Sequence, residues 1–133
     1  MTLAKFNHIS FVKLFLLTTI IATAGIGGAF LIVPSTIPDI FSEVYIKAEV
    51  AFYLRFFGVV ILGYSYLNVS ALLNFDNKNL LKLVCQINIL SLGLSMVISL
   101  IGLNQGFLVN YSFLFIAEHL FFLSGFIYIY TNH

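Results

Sequence analysis

The stretch that decides the fold is Leu14–Val33, LFLLTTIIATAGIGGAFLIV, twenty residues without a charge. A helix rises about 1.5 Å per residue, so a run of that length matches a hydrocarbon core of about 30 Å. Pro34-Ser35-Thr36-Ile37-Pro38-Asp39 follows, and two prolines with an Asp do not continue a helix inside lipid. Three further apolar runs succeed it: Val50–Leu73, interrupted mainly by Arg55 and Asn68; Leu80–Leu103, with Lys82 near its start; and Phe107–Tyr130. Asn74-Phe75-Asp76-Asn77-Lys78-Asn79 separates the second from the third, and Asn104-Gln105-Gly106 the third from the fourth. The runs lack the period-two alternation over about ten residues that barrel strands need. The expectation is an all-α integral membrane protein: a single domain, 1–133, folded as one up-down-up-down four-helix bundle with spans at 14–33, 50–73, 80–103 and 107–130.

Composition agrees. Of the 133 residues 61% are hydrophobic and 8% charged, against about 45–50% and about 25% in soluble domains. A domain of this size keeps much of its chain at the surface and has no interior large enough for that apolar content. The net charge of +1 points to neither nucleic acid nor an acidic partner. One cysteine, Cys85, excludes an intrachain disulfide and a multi-cysteine metal cluster.

Lys5, Lys13, Lys78 and Lys82 fall on the side of the N-terminus and second loop, and Lys47 alone lies in a loop on the other. The positive-inside rule therefore places both termini in the cytoplasm of a cell membrane, of bacterial inner-membrane type. Phe6, Phe11, Tyr128 and Tyr130 mark the inner interface, and Tyr45, Tyr53 and Tyr111 the outer. Ala22-Thr23-Ala24 has the form of a leader-peptide cleavage site, but the apolar run continues to Val33, which suits a span better.

Ionisable residues within spans mark function or pairing, because each costs about 2.5–3.5 kcal/mol on insertion scales. Arg55 stands on a stripe with Ala51, Gly58, Leu62, Ser65 and Val69, whose small members admit a neighbouring helix. Glu118 shares a stripe with Tyr111, Phe115, Phe122 and Gly125, and helical geometry turns His119 about 100° from it, towards Ser112 and Phe126. With outer boundaries near Val50 and Phe107, Arg55 lies about 8 Å deep and Glu118 about 16 Å deep, a difference that a long Arg side chain spans in large part. Two readings of these residues stay open. One is a structural clamp in which paired charges lock helices together. The other is a binding or proton-handling site formed by Arg55, Glu118, His119 and Ser95. Ser95 belongs to a Ser91–Ser95–Ser99 stripe that suits either close packing or a water-lined path, which Gln86 and Asn88 would extend.

No cofactor is expected. A membrane haem usually takes two facing histidines, and His8 and His133 lie at the helix ends far from His119. One His and one Glu are too few for a catalytic metal. No nucleophile with its base and orienting partner can be assembled, so no enzyme is expected.

Gly25-x-x-Gly28 followed by Val33-Pro34, the Ile40-Phe41 loop, Leu54-Arg55-Phe56-Phe57-Gly58 and Leu62-Gly63 resembles the first half of the DoxX-like group of small bacterial four-span proteins. The resemblance covers about residues 25–73. It implies a four-span fold and kinship with subunits of membrane redox complexes, hence a quinone or partner subunit. The reading from the residues is a non-enzymatic subunit or scaffold whose partner is the lipid bilayer, with another membrane subunit or a second copy left open. The other is a protein that binds or transports a small amphipathic ligand, such as a quinone, lipid or weak acid.

Overall fold

The computed structural model describes the backbone of residues 3–34, 48–104 and 112–132, and side chains of 8–34, 51–104, 114 and 116–132. Among these the chain is all-helical: α1 (Leu3–Ile32), α2 (Ala48–Leu73), α3 (Lys78–Asn104) and α4 (Ser112–Asn132). The helix breaker beyond Pro34, the interface markers Tyr45 and Tyr111, the side chain of Phe6, Lys47, and the third turn beyond Asn104 lie outside the described residues. By length and composition His8–Ile32, Ala51–Leu73 and Lys78–Asn104 are able to cross a membrane. On the described residues α4, with Glu118 and His119 near its middle, is not among them.

The helix ends follow local chemistry. α1 starts eleven residues before the apolar run because nothing between Leu3 and Lys13 breaks a helix. α2 closes where Asn74 returns both its backbone N–H and its side-chain amide to Ser70 O, at 3.0 and 2.9 Å. Asn77 then caps α3: its Oδ1 accepts from Leu80 N at 3.1 Å, satisfying one of the first-turn donors that no helix can satisfy itself.

Neighbouring helices run antiparallel. α1 and α2 pack along much of their length and cross most closely at Gly27 and Gly58. A Cβ at Gly58 would come within 2.8 Å of Gly27 O, and one at Gly27 within 3.0 Å of Gly58 O. Ser65 Oγ donates to Ile20 O at 3.2 Å across the same interface. The small residues on the α2 stripe thus admit α1, and the partner glycine on α1 is Gly27. α3 and α4 form the second close pair.

The two pairs join mainly at one end. Val12, Phe15 and Leu16 of α1, Ala71 of α2, Leu81, Val84 and Cys85 of α3, and Phe122, Phe126 and Ile129 of α4 make the core. All lie toward the end that holds the chain termini and the α2–α3 turn. Phe15 is its hub, edge-on to Phe126 with ring centroids 5.1 Å apart and 5.8 Å from Phe122. Its ring lies over Gly125 so closely that a Cβ there would run into it. Toward the other end the large apolar side chains face outward, among them Ile21, Ile32, Phe56, Phe57, Leu94, Ile98 and Leu120. Thirty large apolar side chains are exposed among the described residues, against eight in the core.

Candidate functional site

The buried polar side chains are Thr19, Ser65, Asn68 and Asn88. Asn68 and Asn88 meet at the joint between the helix pairs. Asn88 Nδ2 donates to Asn68 Oδ1 at 3.2 Å, and Asn68 Nδ2 to Asn88 Oδ1 at 3.4 Å. Each amide also donates into its own helix, Asn68 to Tyr64 O at 2.9 Å and Asn88 to Val84 O at 2.8 Å. A side-chain amide has two donors and one acceptor oxygen, and this reciprocal arrangement engages all of them. Thr19 donates to Phe15 O at 2.9 Å, and Ser65 crosses to Ile20 O as described. Ser65, Asn68 and Asn88 thus bond across helices, and Thr19 bonds within its own.

Glu118 and His119 sit just beyond the core, with Glu118 one turn from Phe122 on the same face. Their side chains meet, His119 Nδ1 lying 2.9 Å from Glu118 Oε2. The 100° between their Cβ directions is closed by side-chain torsions, which bend both groups around the helix. His119 is largely buried, its side chain 15% exposed, and that of Glu118 is 39% exposed. The contact gives each member of the pair a polar partner. That lowers the cost of placing it in an apolar surrounding.

Arg55 stands apart. It is exposed on α2 and has no ion pair among the described residues, whereas Glu118 takes its own neighbour. The helices explain this, since α2 packs chiefly on α1 and α4 chiefly on α3. Ser95 is half-buried on α3, and its carbonyl accepts from Ser99 Oγ at 2.9 Å. This is the within-helix bonding that a packing role for the serine stripe implies. Gln86 and Asn88 do not extend a polar path from it: Asn88 turns to Asn68, and Gln86 Nε2 donates to Tyr130 OH at 3.1 Å.

At the terminal end of the bundle, amphipathic side chains form a belt. His8 Nδ1 and Tyr128 OH are hydrogen-bonded at 3.3 Å, and Phe11 stands edge-on to Tyr128 at 5.4 Å between centroids. Lys13 Nζ lies 5.0 Å from the Phe75 ring centroid and Lys82 Nζ 6.0 Å from that of Tyr130, within cation–π range.

Among the described residues no three His, Cys, Asp or Glu side chains converge as a metal site. Neither a family model, nor a curated protein, nor a solved structure matches this chain. The DoxX-like resemblance rests on the quoted residues alone.

Two features escaped the sequence reading: the Asn68–Asn88 pair and the role of Gly27. The signal for the first was two primary amides in apolar spans joined by one short turn. A buried amide seeks a partner, and each is the nearest available to the other.

Proposed function

We propose that this chain is an integral membrane protein of four spans with both termini cytoplasmic, and that it serves as a non-enzymatic structural subunit or scaffold of a membrane assembly. One observation carries the reading. All four buried polar side chains, Thr19, Ser65, Asn68 and Asn88, are engaged within the bundle, while the apolar surface faces outward. A protein that works on a substrate keeps convergent polar groups in reserve; here they are consumed as an intramembrane polar clamp. The open apolar faces suit lipid, another membrane subunit or a second copy.

Single cysteines at Asn7, Ser42, Asn77 and Gln105, in a Cys85→Ser background, test the topology in intact cells. An impermeant reagent should label Ser42 and Gln105 and spare Asn7 and Asn77; labelling at Asn77 overturns it. Quantitative proteomics of membranes lacking the chain tests the scaffold role. Depletion of a resident membrane protein supports it, and an unchanged membrane proteome with a lost solute flux overturns it.

The second reading, binding or transport of a small amphipathic ligand by Glu118, His119, Arg55 and Ser95, draws on one feature. The Glu118 carboxylate is held by His119 and still partly open. Co-purified quinone or lipid whose retention falls in Glu118→Gln would favour it. The DoxX-like resemblance, taken as a proposal, suits either reading through its implied quinone or partner subunit.

A further inference from the structure

Three polar side chains converge on the α3–α4 face at the end that holds the chain termini. Gln86 Nε2 donates to Tyr130 OH at 3.1 Å, and Lys82 Nζ lies 6.0 Å from the centroid of the same ring. Lys82 and Gln86 are one turn apart on α3, so a single ring of α4 stands beside both. All three side chains are exposed. Tyr130 takes the Gln86 hydrogen bond on its oxygen, which leaves its own O–H to donate. Gln86 keeps a second amide N–H, and Lys82 has no ion pair among the described residues. N–H and O–H donors thus gather beside a positive charge. Toward the middle of the bundle the same side of both helices turns apolar. Leu90 on α3, one turn beyond Gln86, and Ile127 and Leu120 on α4 are exposed and stand within about 80° of Lys82 or Tyr130 around their helices. Gly93 is nearly in line with Lys82 three turns on, and a Cβ there would meet nothing within 4 Å.

We infer that this α3–α4 face is a phospholipid site, with Lys82, Gln86 and Tyr130 holding the phosphate of a lipid in the leaflet at the terminal end and the apolar strip below them seating an acyl chain. The inference rests on the transmembrane reading above. Depth and chemistry together select this occupant. Lys82 stands four residues into α3, about 6 Å along the axis from its start. Its stem leans toward the helix N-terminus, here the nearer membrane boundary, so the ammonium rises to headgroup level. Tyr130, two residues from the end of α4, lies at the depth where tyrosines mark the interface. From Tyr130 to Leu120 is about 15 Å along the axis, half of a hydrocarbon core of about 30 Å and so the reach of one leaflet's chains. A soluble anion would use the donors and leave the strip idle. A neutral lipid would use the strip and leave the charge without a partner. Lys13 carries the same charge at the same end but stands over Phe75, a ring without a hydroxyl.

Native mass spectrometry of the full chain in mild detergent tests this with three probes: dioleoyl phosphatidylglycerol, dioleoylglycerol, which has the chains without phosphate, and glycerol 3-phosphate, which has the phosphate without chains. The phospholipid should form a one-to-one adduct and the other two should not. Lys82→Met should weaken the adduct about tenfold, the loss of one charge-assisted contact. Tyr130→Phe, which keeps the ring and removes one donor, should weaken it about threefold. Lys13→Met, which removes a cation elsewhere at the same end, should leave it unchanged. Equal adducts in wild type and Lys82→Met, or a loss in Lys13→Met matching that in Lys82→Met, would overturn the inference. So would dioleoylglycerol binding as well as the phospholipid, which makes the phosphate idle, or glycerol 3-phosphate doing so, which makes the site one for a free anion. Should Lys82→Met not fold, Tyr130→Phe carries the test, and no loss there defeats the donor cluster. Alkaline carbonate extraction of wild-type membranes separates the two levels. A chain extracted by carbonate defeats the transmembrane reading itself, whereas a retained chain indifferent to Lys82 and Tyr130 defeats only the lipid site.

Discussion

Asn68 and Asn88 hold each other across α2 and α3, amide to amide, with both nitrogens also donating into their own helices at 2.9 and 2.8 Å. The relation is reciprocal, so removing either side chain strands the other in a buried place. Asn68→Leu or Asn88→Leu should each destabilise the folded protein in micelles by about 1–2 kcal/mol. The double Leu variant should cost less than the sum, because two apolar groups replace two mutually satisfied polar ones. Denaturant unfolding followed by circular dichroism gives the cycle, and simple addition of the two losses would sink the clamp.

The Gly27–Gly58 crossing makes a sharper contrast. Gly58→Ala puts a methyl 2.8 Å from a backbone carbonyl, which cannot swing aside as a side chain can. The expected loss is about 1–3 kcal/mol from forced separation of α1 and α2. Gly25 and Gly28, on the same helix as Gly27, have open space where a Cβ would go. Alanine there should be neutral or stabilising by up to about 1 kcal/mol, because Gly costs helix entropy. Thermal melts of the three alanine variants in one detergent check the ordering; equal effects at Gly25 and Gly58 would contradict the crossing.

Gly125 and Phe15 supply a compensating pair. Gly125→Ala drives a methyl into the Phe15 ring and should lower stability by about 1–3 kcal/mol. Phe15→Leu alone opens a hole under Phe122 and Phe126 and should also cost stability. Together they should recover part of both losses, since the smaller side chain vacates the space that the methyl takes. A double variant no better than the worse single one would mean that the ring does not rest on Gly125.

Much of the fold was legible in the sequence because apolar run length is a one-dimensional signal. Twenty uncharged residues from Leu14 and a cluster of amides at Asn74–Asn79 are enough to mark helices and a turn. The packing was less legible. Gly58 stood on a readable stripe, but which of the glycines at 25, 27 and 28 faces it depends on the rotation of α1, and a run that is apolar all round has no polar face to fix that rotation. The polar contacts were less legible for a related reason. Charges draw the eye because their insertion cost is large, yet Arg55 faces outward and Glu118 is satisfied by its own neighbour. The neutral amides, which carry a smaller cost, are the groups the packing buries.

The Glu118–His119 pair separates a structural role from a chemical one. Glu118→Gln keeps a polar group of the same shape beside His119 Nδ1, so stability should change by less than about 1 kcal/mol, the more so as the side chain is partly exposed. His119→Leu is the harsher change, since it leaves the carboxyl beyond the core without its polar partner. Folded yield after detergent extraction, read as the monodisperse peak in size-exclusion chromatography, should fall in His119→Leu. It should recover in the double variant Glu118→Leu with His119→Leu, where no unpaired ionisable group remains. A double variant worse than His119→Leu would show that the two side chains contribute separately. Infrared difference spectra between mildly acidic and mildly alkaline pH address the chemical role directly. A carboxyl band that titrates in wild type and vanishes in Glu118→Gln would mean that the pair exchanges its proton with the surroundings, as the ligand-binding reading requires of a working site. A silent carboxyl region would leave the pair as a hydrogen-bonded packing element at the edge of the core.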